Sequence, residues 1–280
     1  MNISFIVLTY NRTDALLAVL RALSTQCDAR HEILIADDGS SPEQVKTLLQ
    51  HCPVFSCPVR HIWHPDVGFT AAQARNMAAR LAQGDYLIFL DGDCIPNKSF
   101  VAQHTRLAQP GFFVNGSRIL LSTKLSCQVI SGAVDLQKCS VFFWLGARLR
   151  GDVNKLLHLL PWPSSLFRVK QTFRWRGIRS CNFGLWRNDF ISVNGFDESF
   201  QGWGHEDADL VLRLHHLGLH RKNGFMATEV FHLWHLENKR DRESVNKLTV
   251  TKRINTNLVM AEKGLQELDT AVSVKITQLH

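Results

Sequence analysis

Tyr86-Leu87-Ile88-Phe89-Leu90-Asp91-Gly92-Asp93 decides the architecture. Five consecutive apolar residues read as a short strand buried on both faces, and the chain then stops at two carboxylates around a glycine. Working outward, Ser4-Phe5-Ile6-Val7-Leu8-Thr9 has the same character and stops at Tyr10-Asn11-Arg12-Thr13-Asp14. His31–Ala36 is another strand, ending in Asp37-Asp38-Gly39-Ser40, and Val59–Trp63 a further one. Between these runs the spacing turns helical. Leu16, Leu17, Leu20 and Leu23 follow Thr13 or Asn11 as N-cap, a helix opens at Pro42, and an Ala-rich helix from Thr70 to Leu81 is closed by Gly84. A helix over about Lys98–Leu107 and a strand over Phe112–Leu121 come next.

Strands alternating with helices across short loops predict an α/β fold, a doubly wound sheet with helices on both faces. Ligands in such sheets sit beyond the carboxyl ends of the strands. The polar clusters Thr9–Thr13, Asp37–Ser40 and Asp91–Asp93 are therefore expected to meet in one crevice.

Composition narrows the class. With 45% hydrophobic and 20% charged residues among 280, the chain is neither disordered nor fibrous. No apolar run approaches the ~20 residues of a membrane span, and Met1-Asn2-Ile3-Ser4 does not open a secretory signal. Seven cysteines without a C-x-x-C pair suggest reduced thiols and a cytoplasmic location. The net charge of +7 is concentrated between Val141 and Arg179, where eight basic residues (Arg148, Arg150, Lys155, Arg168, Lys170, Arg174, Arg176 and Arg179) face one acid, Asp152. Aromatic residues such as Phe142, Trp144, Trp162 and Trp175 interleave with them. This patch reads as a solvated or packed face, a nucleic-acid surface, or a contact with an anionic membrane or lipid-linked substrate. The last is favoured, and no nucleic acid is expected as a partner.

Residues 122–178 show no clear periodicity. Regular structure resumes near Ile178–Trp186, and Gly202-Trp203-Gly204-His205-Glu206-Asp207 opens a helix to about Leu217. A short strand near Phe225–Val230 precedes His232 and His235, and a helical tail is expected from about Glu243.

Each cluster has a structural and a chemical reading. Asp91-Gly92-Asp93 is a polar turn or a carboxylate site for a hard divalent cation that also grips a diphosphate. Asp37-Asp38 suits a turn and equally a nucleotide base or ribose. Glu206-Asp207 at a helix start satisfies the helix dipole, or supplies a general base. Trp203 between two glycines favours the second, since an aromatic on a hinge suits a sugar ring and a closing lid. His232 and His235, three apart, could join a carboxylate in holding Mn²⁺ better than Mg²⁺.

These motifs in this order carry a resemblance. Phe5-Ile6-Val7-Leu8-Thr9-Tyr10-Asn11-Arg12, Ala36-Asp37-Asp38-Gly39-Ser40 and Asp91-Gly92-Asp93 resemble family 2 glycosyltransferases of the GT-A fold. Cys181-Asn182-Phe183-Gly184, Asn194-Gly195-Phe196-Asp197-Glu198 and Gly202–Asp207 resemble the C-terminal part of β-1,4-galactosyltransferases and bacterial chondroitin-polymerase-like enzymes. The likeness covers about residues 3–120 and 178–240. It implies a donor-binding half over 1–121, a basic and aromatic insertion over 122–178 on the acceptor or membrane side, a galactosyltransferase-like part over 179–240 and a tail over 241–280.

By the same resemblance Thr9, Tyr10 and Arg12 line the nucleotide pocket, Asp38 contacts the base, and Arg75 or Asn76 lies near the ribose or diphosphate. Asp91 approaches the ribose and metal. Asp93, with His235 and His232, holds Mn²⁺ or Mg²⁺. Asn182, Trp203 and Glu206 hold donor and acceptor sugars, and Asp207 is the catalytic base. The implied activity is inverting transfer of a hexose or N-acetylhexosamine from a nucleotide sugar, UDP being favoured, to a hydroxyl of a glycan or lipid-linked glycan in surface-polysaccharide or lipopolysaccharide synthesis. The alternative is a non-catalytic protein of the same fold that binds a nucleotide sugar without transferring it. Ser180-Cys181 and Asn194-Gly195 stand where the family favours glycine pairs.

Overall fold

The computed structural model describes residues 1–160, 162, 167–175, 177–236, 241–267 and 273–280. β1 (Ile3–Thr9), β2 (His31–Asp37), β3 (Val59–Trp63) and β4 (Tyr86–Asp91) run parallel, with β1 between β2 and β4 and β3 outside β2. Their side chains alternate between two cores, which is why Phe5–Leu8, Ile33–Ala36 and Tyr86–Leu90 are unbroken apolar runs. Phe5, Val7, Ile33, Ile35, Ile88 and Leu90 pack with Leu16, Leu20 and Leu23 of α1 (Thr13–Ser24). On the other face Ile6, Leu34, Leu87 and Phe89 pack with Ala74, Met77 and Ala78 of α3 (Ala71–Leu81). α2 (Pro42–His51) connects β2 to β3 and buries Leu48 in the first core. Helices on both faces are the predicted doubly wound arrangement.

Beyond β4 the chain forms β5 (Cys94–Pro96), α4 (Phe100–Leu107), β6 (Phe112–Asn115) and β7 (Ser117–Leu120). The single strand expected over Phe112–Leu121 is divided at Gly116. There the backbone passes against Asn182, whose amide carbon would lie 2.1 Å from any added Cβ, and β6 and β7 go to different sheets. The stretch 122–178 is more regular than its sequence suggested. It contains α5 (Thr123–Ile130), α6 (Val141–Leu149) and the two-residue β8 (Val169–Lys170). Ser122 and Ser140 cap the two helices, accepting from Leu125 N and Phe143 N at 3.2 Å each.

β9 (Asn182–Trp186), α7 (Arg187–Ser192), α8 (Glu206–His216), β10 (His220–Asn223), β11 (Glu229–His232) and α9 (Glu243–Arg253) follow. The expected helical tail instead ends in β12 (Lys275–Gln278), antiparallel to β3. The main sheet reads β12-β3-β2-β1-β4-β9-β6-β10-β8, and β5-β11-β7 form a second one. β9 is antiparallel to both β4 and β6, so the sheet is mixed. The structure therefore inserts β9, from the later part of the chain, between strands of the earlier part.

The basic patch is partly consumed by the fold. Arg168 is 1% exposed and donates to the carbonyls of Asn223 (2.9 Å), Phe225 (2.7 Å) and Trp162 (2.7 Å). Lys155 donates to Arg118 O at 3.0 Å, and Arg150 pairs with Asp152 at 2.8 Å. Arg148 and Arg174 are exposed, whereas Arg176 lies outside the described residues.

A buried ion-pair network joins α8, α9 and the loop before α8. Asp209 accepts from Arg213 Nε (2.7 Å) and Arg253 (2.6 Å), and Arg253 also reaches Asp197 (2.8 Å). Both carboxylates are wholly buried. Replacing Asp209 by Ala strands the Arg213 guanidinium and leaves Arg253 with Asp197 and Glu262, and should cost about 3–5 kcal/mol of unfolding free energy. Urea denaturation checks this, and a loss below about 1 kcal/mol would show that the network is not holding α9 in place.

Candidate active site

The carboxyl ends of β1, β2 and β4 open into one cleft of about 1030 Å³. Thr9, Tyr10, Arg12, Asp38, Gly68 and Phe69 line one end; Asp91, Asp93, His232, His235 and Trp203 line the middle. Arg118, Leu120, Leu121, Ile130, Trp234 and Leu236 line the other end. The three polar clusters thus converge as their strand ends required.

Local chemistry assigns the two aspartates after β2 to different tasks. Asp37 is buried and accepts from His61 Nε2 and Ser40 N, both at 2.8 Å, so it shapes the turn. Asp38 faces the cleft and is held by the Thr70 backbone N–H (3.0 Å) and by His64 Nε2 (3.3 Å). Tyr10 donates to Asp66 at 2.8 Å, which fixes its ring across the cleft edge.

Gly92 explains its place between two aspartates. Its N–H donates to Leu8 O at 2.7 Å, and a Cβ there would meet the same oxygen at 2.8 Å. The close approach of β1 sets Asp91 and Asp93 at the cleft wall. Asp91 accepts from Arg75 at 2.8 Å. Asp93 lies 3.2 Å from His235 Nε2 and 3.8 Å from His232 Nε2. His235 Nδ1–H donates to Leu236 O at 2.6 Å, which turns Nε2 towards the Asp93 carboxylate. Imidazole nitrogen and carboxylate oxygen gathered in this way form a donor set that suits Mn²⁺. Burial lowers the His232 pKa, which keeps that ring available as a neutral ligand. Cys94 sits with Asp93 and His232 in one tight group, yet burial pushes its thiol well up and the sulfur donates to Asp93 at 3.5 Å. It is a poor ligand for a hard ion.

Arg75, on α3, reaches the cleft-lining Asp91 from the interior. It is buried, pairs with Asp91 at 2.8 Å and Glu206 at 3.5 Å, and lies 5.3 Å from the Phe196 ring centre. Burial first and Asp207 second push the Glu206 carboxyl up to about 7, against the opposing pull of Arg75. Burial also raises Asp207, whose oxygens accept from Ala208 N (2.7 Å) and Ser180 N (3.2 Å). Ser180, standing in place of a family glycine, therefore holds the candidate base through its backbone. Asn194, the other such position, adopts φ 60°, which asparagine tolerates.

The Trp203 loop is wound by Gly202, Gly204 and His205, all at positive φ. His205 meets Trp175 edge-on at 5.3 Å, and Asn246 of α9 holds the carbonyls of Gln201 (3.1 Å) and Gly204 (2.9 Å).

Arg75, Glu206 and Asp207 are not among the lining residues of the cleft, and two further candidates are placed elsewhere. Asn76 is fully buried, exchanging hydrogen bonds with the Phe196 backbone at 2.8 and 2.9 Å and donating to Glu198 at 3.0 Å. Asn182 is also fully buried; its amide bonds to Ser117 O, Thr228 O and His104 Nε2. Neither lines the cleft, because each has all its polar atoms spent on neighbouring backbone and side chains. In contrast Arg118, Trp234 and Asn246 were missed: Arg118 comes from a stretch of plain strand character, Trp234 stands between His232 and His235 in the loop after β11, and Asn246 lies in a tail with no visible motif.

With this geometry in hand, comparison with known proteins is decisive. Residues 4–119 match the family described as Glycosyl transferase family 2, and residues 164–236 the N-terminal domain of galactosyltransferase. Over residues 4–119 the chain is similar to glycosyltransferase family 2. Among its relatives, validoxylamine A glucosyltransferase of Streptomyces hygroscopicus is 28% identical over 226 residues, which cover 78% of this chain and 52% of that protein. The hyaluronan synthase of Pasteurella multocida is 27% identical over 270 residues, covering 89% of this chain and 26% of that protein. The chain thus spans about half or less of the length of these curated relatives. The fold is that of S. aureus TarS solved with UDP-GlcNAc, at a TM-score of 0.62 and 13% identity over 96% of this chain and 69% of that one. GalNAc-T7 solved with UDP, GalNAc and Mn²⁺ superimposes at 0.56, with 16% identity over 90% of this chain and 48% of that one. These structures share the GT-A fold.

The raised Glu206 pKa has a measurable consequence. The folded protein holds this proton more tightly than the unfolded chain does, so stability falls as pH rises from about 4.5 towards about 7. Glu206→Gln lacks that titration. Its urea midpoint should gain on the wild type between pH 5 and pH 7.5; parallel profiles would remove Glu206 from the buried acidic pair.

Proposed function

We propose that this chain is an inverting, metal-dependent glycosyltransferase. It moves a hexose or N-acetylhexosamine from a UDP-sugar to a hydroxyl of a glycan or lipid-linked glycan, in surface-polysaccharide or lipopolysaccharide synthesis. The observation that carries the reading is Arg75: one buried guanidinium ties Asp91, at the end of a donor-side strand, to Glu206, the neighbour of Asp207 in the galactosyltransferase-like part. That pairing links the candidate donor-side and acceptor-side carboxylates through one side chain and supports their acting together. The UDP-GlcNAc in the TarS structure, and the UDP and Mn²⁺ in that of GalNAc-T7, support the choice of nucleotide and ion.

Thr9, Tyr10, Arg12 and Asp38 line the cleft and would hold the nucleotide. Asp93, His235 and His232 would hold Mn²⁺ or Mg²⁺. Bound there, a divalent ion supplies Lewis-acid neutralisation of the leaving diphosphate. Asp207 takes the proton of the attacking acceptor hydroxyl, and its burial suits it to the task by raising its affinity for that proton. Attack from the face opposite the diphosphate inverts the anomeric centre, so an α-linked donor gives a β-linked product. Arg75 keeps Glu206 and Asp91 oriented, and Trp203 covers the sugars and excludes water.

Two variants test the reading. Asp207→Asn should lower turnover by roughly 10²–10⁴-fold while leaving UDP affinity close to wild type; near-normal turnover would take the base role from Asp207. Asp93→Ala should abolish the gain in UDP affinity that Mn²⁺ brings, read by titration calorimetry with and without the ion. An equal gain in both proteins would reject the metal site.

A further inference from the structure

α6 departs from the usual pattern of a surface helix. Its inner face is apolar: Trp144 stacks on Phe231 at 5.0 Å with the rings 6° apart, and Ala147 is fully buried. Its outer face is apolar as well. Val141, Phe142, Leu145 and Leu149 are 73, 85, 44 and 89% exposed. A helix apolar on two faces belongs in an interior or an interface, and among the described residues this one meets protein on its inner face only. The following segment adds Leu157 and Leu160, 69 and 59% exposed. Exposed apolar surface gathered in this way marks an interaction site.

The surrounding charge identifies the occupant. Lys124, Arg148 and Arg150 are exposed around this face. The nearby acids are already matched: Asp152 accepts from Arg150 and from the Ser122 hydroxyl, each at 2.8 Å, and Asp135 pairs with Lys138 at 3.1 Å. Apolar side chains bordered by cations are complementary to an anionic bilayer, whose acyl region takes Phe and Leu while its headgroup phosphates take Arg and Lys. A second copy of this chain, packed face to face, would set these cations against one another.

The surface also adjoins the cleft. Leu121 lines the apolar end of the cleft and forms a β-bridge with Val153, and the neighbouring Leu120 N donates to Asn154 Oδ1 at 2.9 Å. The segment leaving α6 is therefore fastened to the cleft wall.

We infer that the outer face of α6, with Leu157 and Leu160, seats the protein in the headgroup layer of an anionic membrane, with the apolar end of the cleft beside the lipid. This deepens the reading above, and it rests on that reading only for the acceptor, which would be amphiphilic and reach the cleft from the bilayer.

Vesicle binding tests the surface without turnover, so its failure is separate from failure of the transferase reading. The full chain should sediment with vesicles of phosphatidylglycerol and phosphatidylcholine, bind vesicles of phosphatidylcholine alone far more weakly, and be released by salt. Phe142→Ser, Leu145→Ser and Leu149→Ser combined should lower the partition coefficient by about tenfold or more with an unchanged circular-dichroism spectrum. Lys124→Glu with Arg148→Glu, which leaves the apolar face intact, should abolish the preference for phosphatidylglycerol. Equal binding to both vesicle types, or an unchanged partition of both variants, would overturn the inference. So would a wild-type dimer in light scattering that the serine variant converts to monomer, since a second copy would then be the occupant.

Discussion

A guanidinium without water needs carboxylates, and carboxylates gathered in a cleft need a cation. Arg75 satisfies both requirements. Asp91, Asp93, Glu206 and Asp207 would repel one another if their strand ends and helix start met with nothing between them. Arg75 pairs with Asp91 and Glu206, and the low local dielectric makes that attraction strong where the desolvation penalty is already high. The same residue rests over Phe196, whose loop is fixed by Asn76 from the next position of α3. One turn of helix thus neutralises the acidic cluster and holds the loop that leads towards it.

The remaining acidic charge is divided by environment. Asp93 faces two imidazoles at the open part of the cleft, where a divalent ion has access. Glu206 and Asp207 lie deeper, where burial raises their proton affinity. In the proposed function this division gives carboxylates of one type the separate roles of holding an ion and accepting a proton. The Trp203 loop borders both groups, and its shape comes from three residues at positive φ and from the Asn246 brace. The tail is therefore part of the site architecture although it supplies no group to the cleft wall.

Much of the fold was legible because its signals are local. Unbroken apolar runs of four or five residues identify strands covered on both faces, and Asp, Asn and Gly at their ends identify the turns. Ser122 and Ser140 carried the capping signal for α5 and α6, but the surrounding mixture of basic and aromatic residues obscured it. Gly116 falls inside the single strand expected over Phe112–Leu121; it is the point where the chain leaves one sheet for another because Asn182 occupies the space a side chain would need. β12 pairs with β3, a strand more than 200 residues earlier, so its sequence alone offered little to distinguish it from a polar tail.

The sequence by itself determined that three polar strand ends would share a crevice, because strand periodicity and turn chemistry act over a few residues. It could not determine which polar side chains would face that crevice. Asp37 and Asp38 are adjacent, yet one closes a turn with His61 and the other lines the cleft; Asn76 and Asn182 are absorbed into the interior, as is Arg168. Those assignments depend on partners far away in the chain, such as Glu206, 131 positions from Arg75. A hydrogen bond or ion pair is decided by where two groups meet after folding, and only the packed structure brings them together.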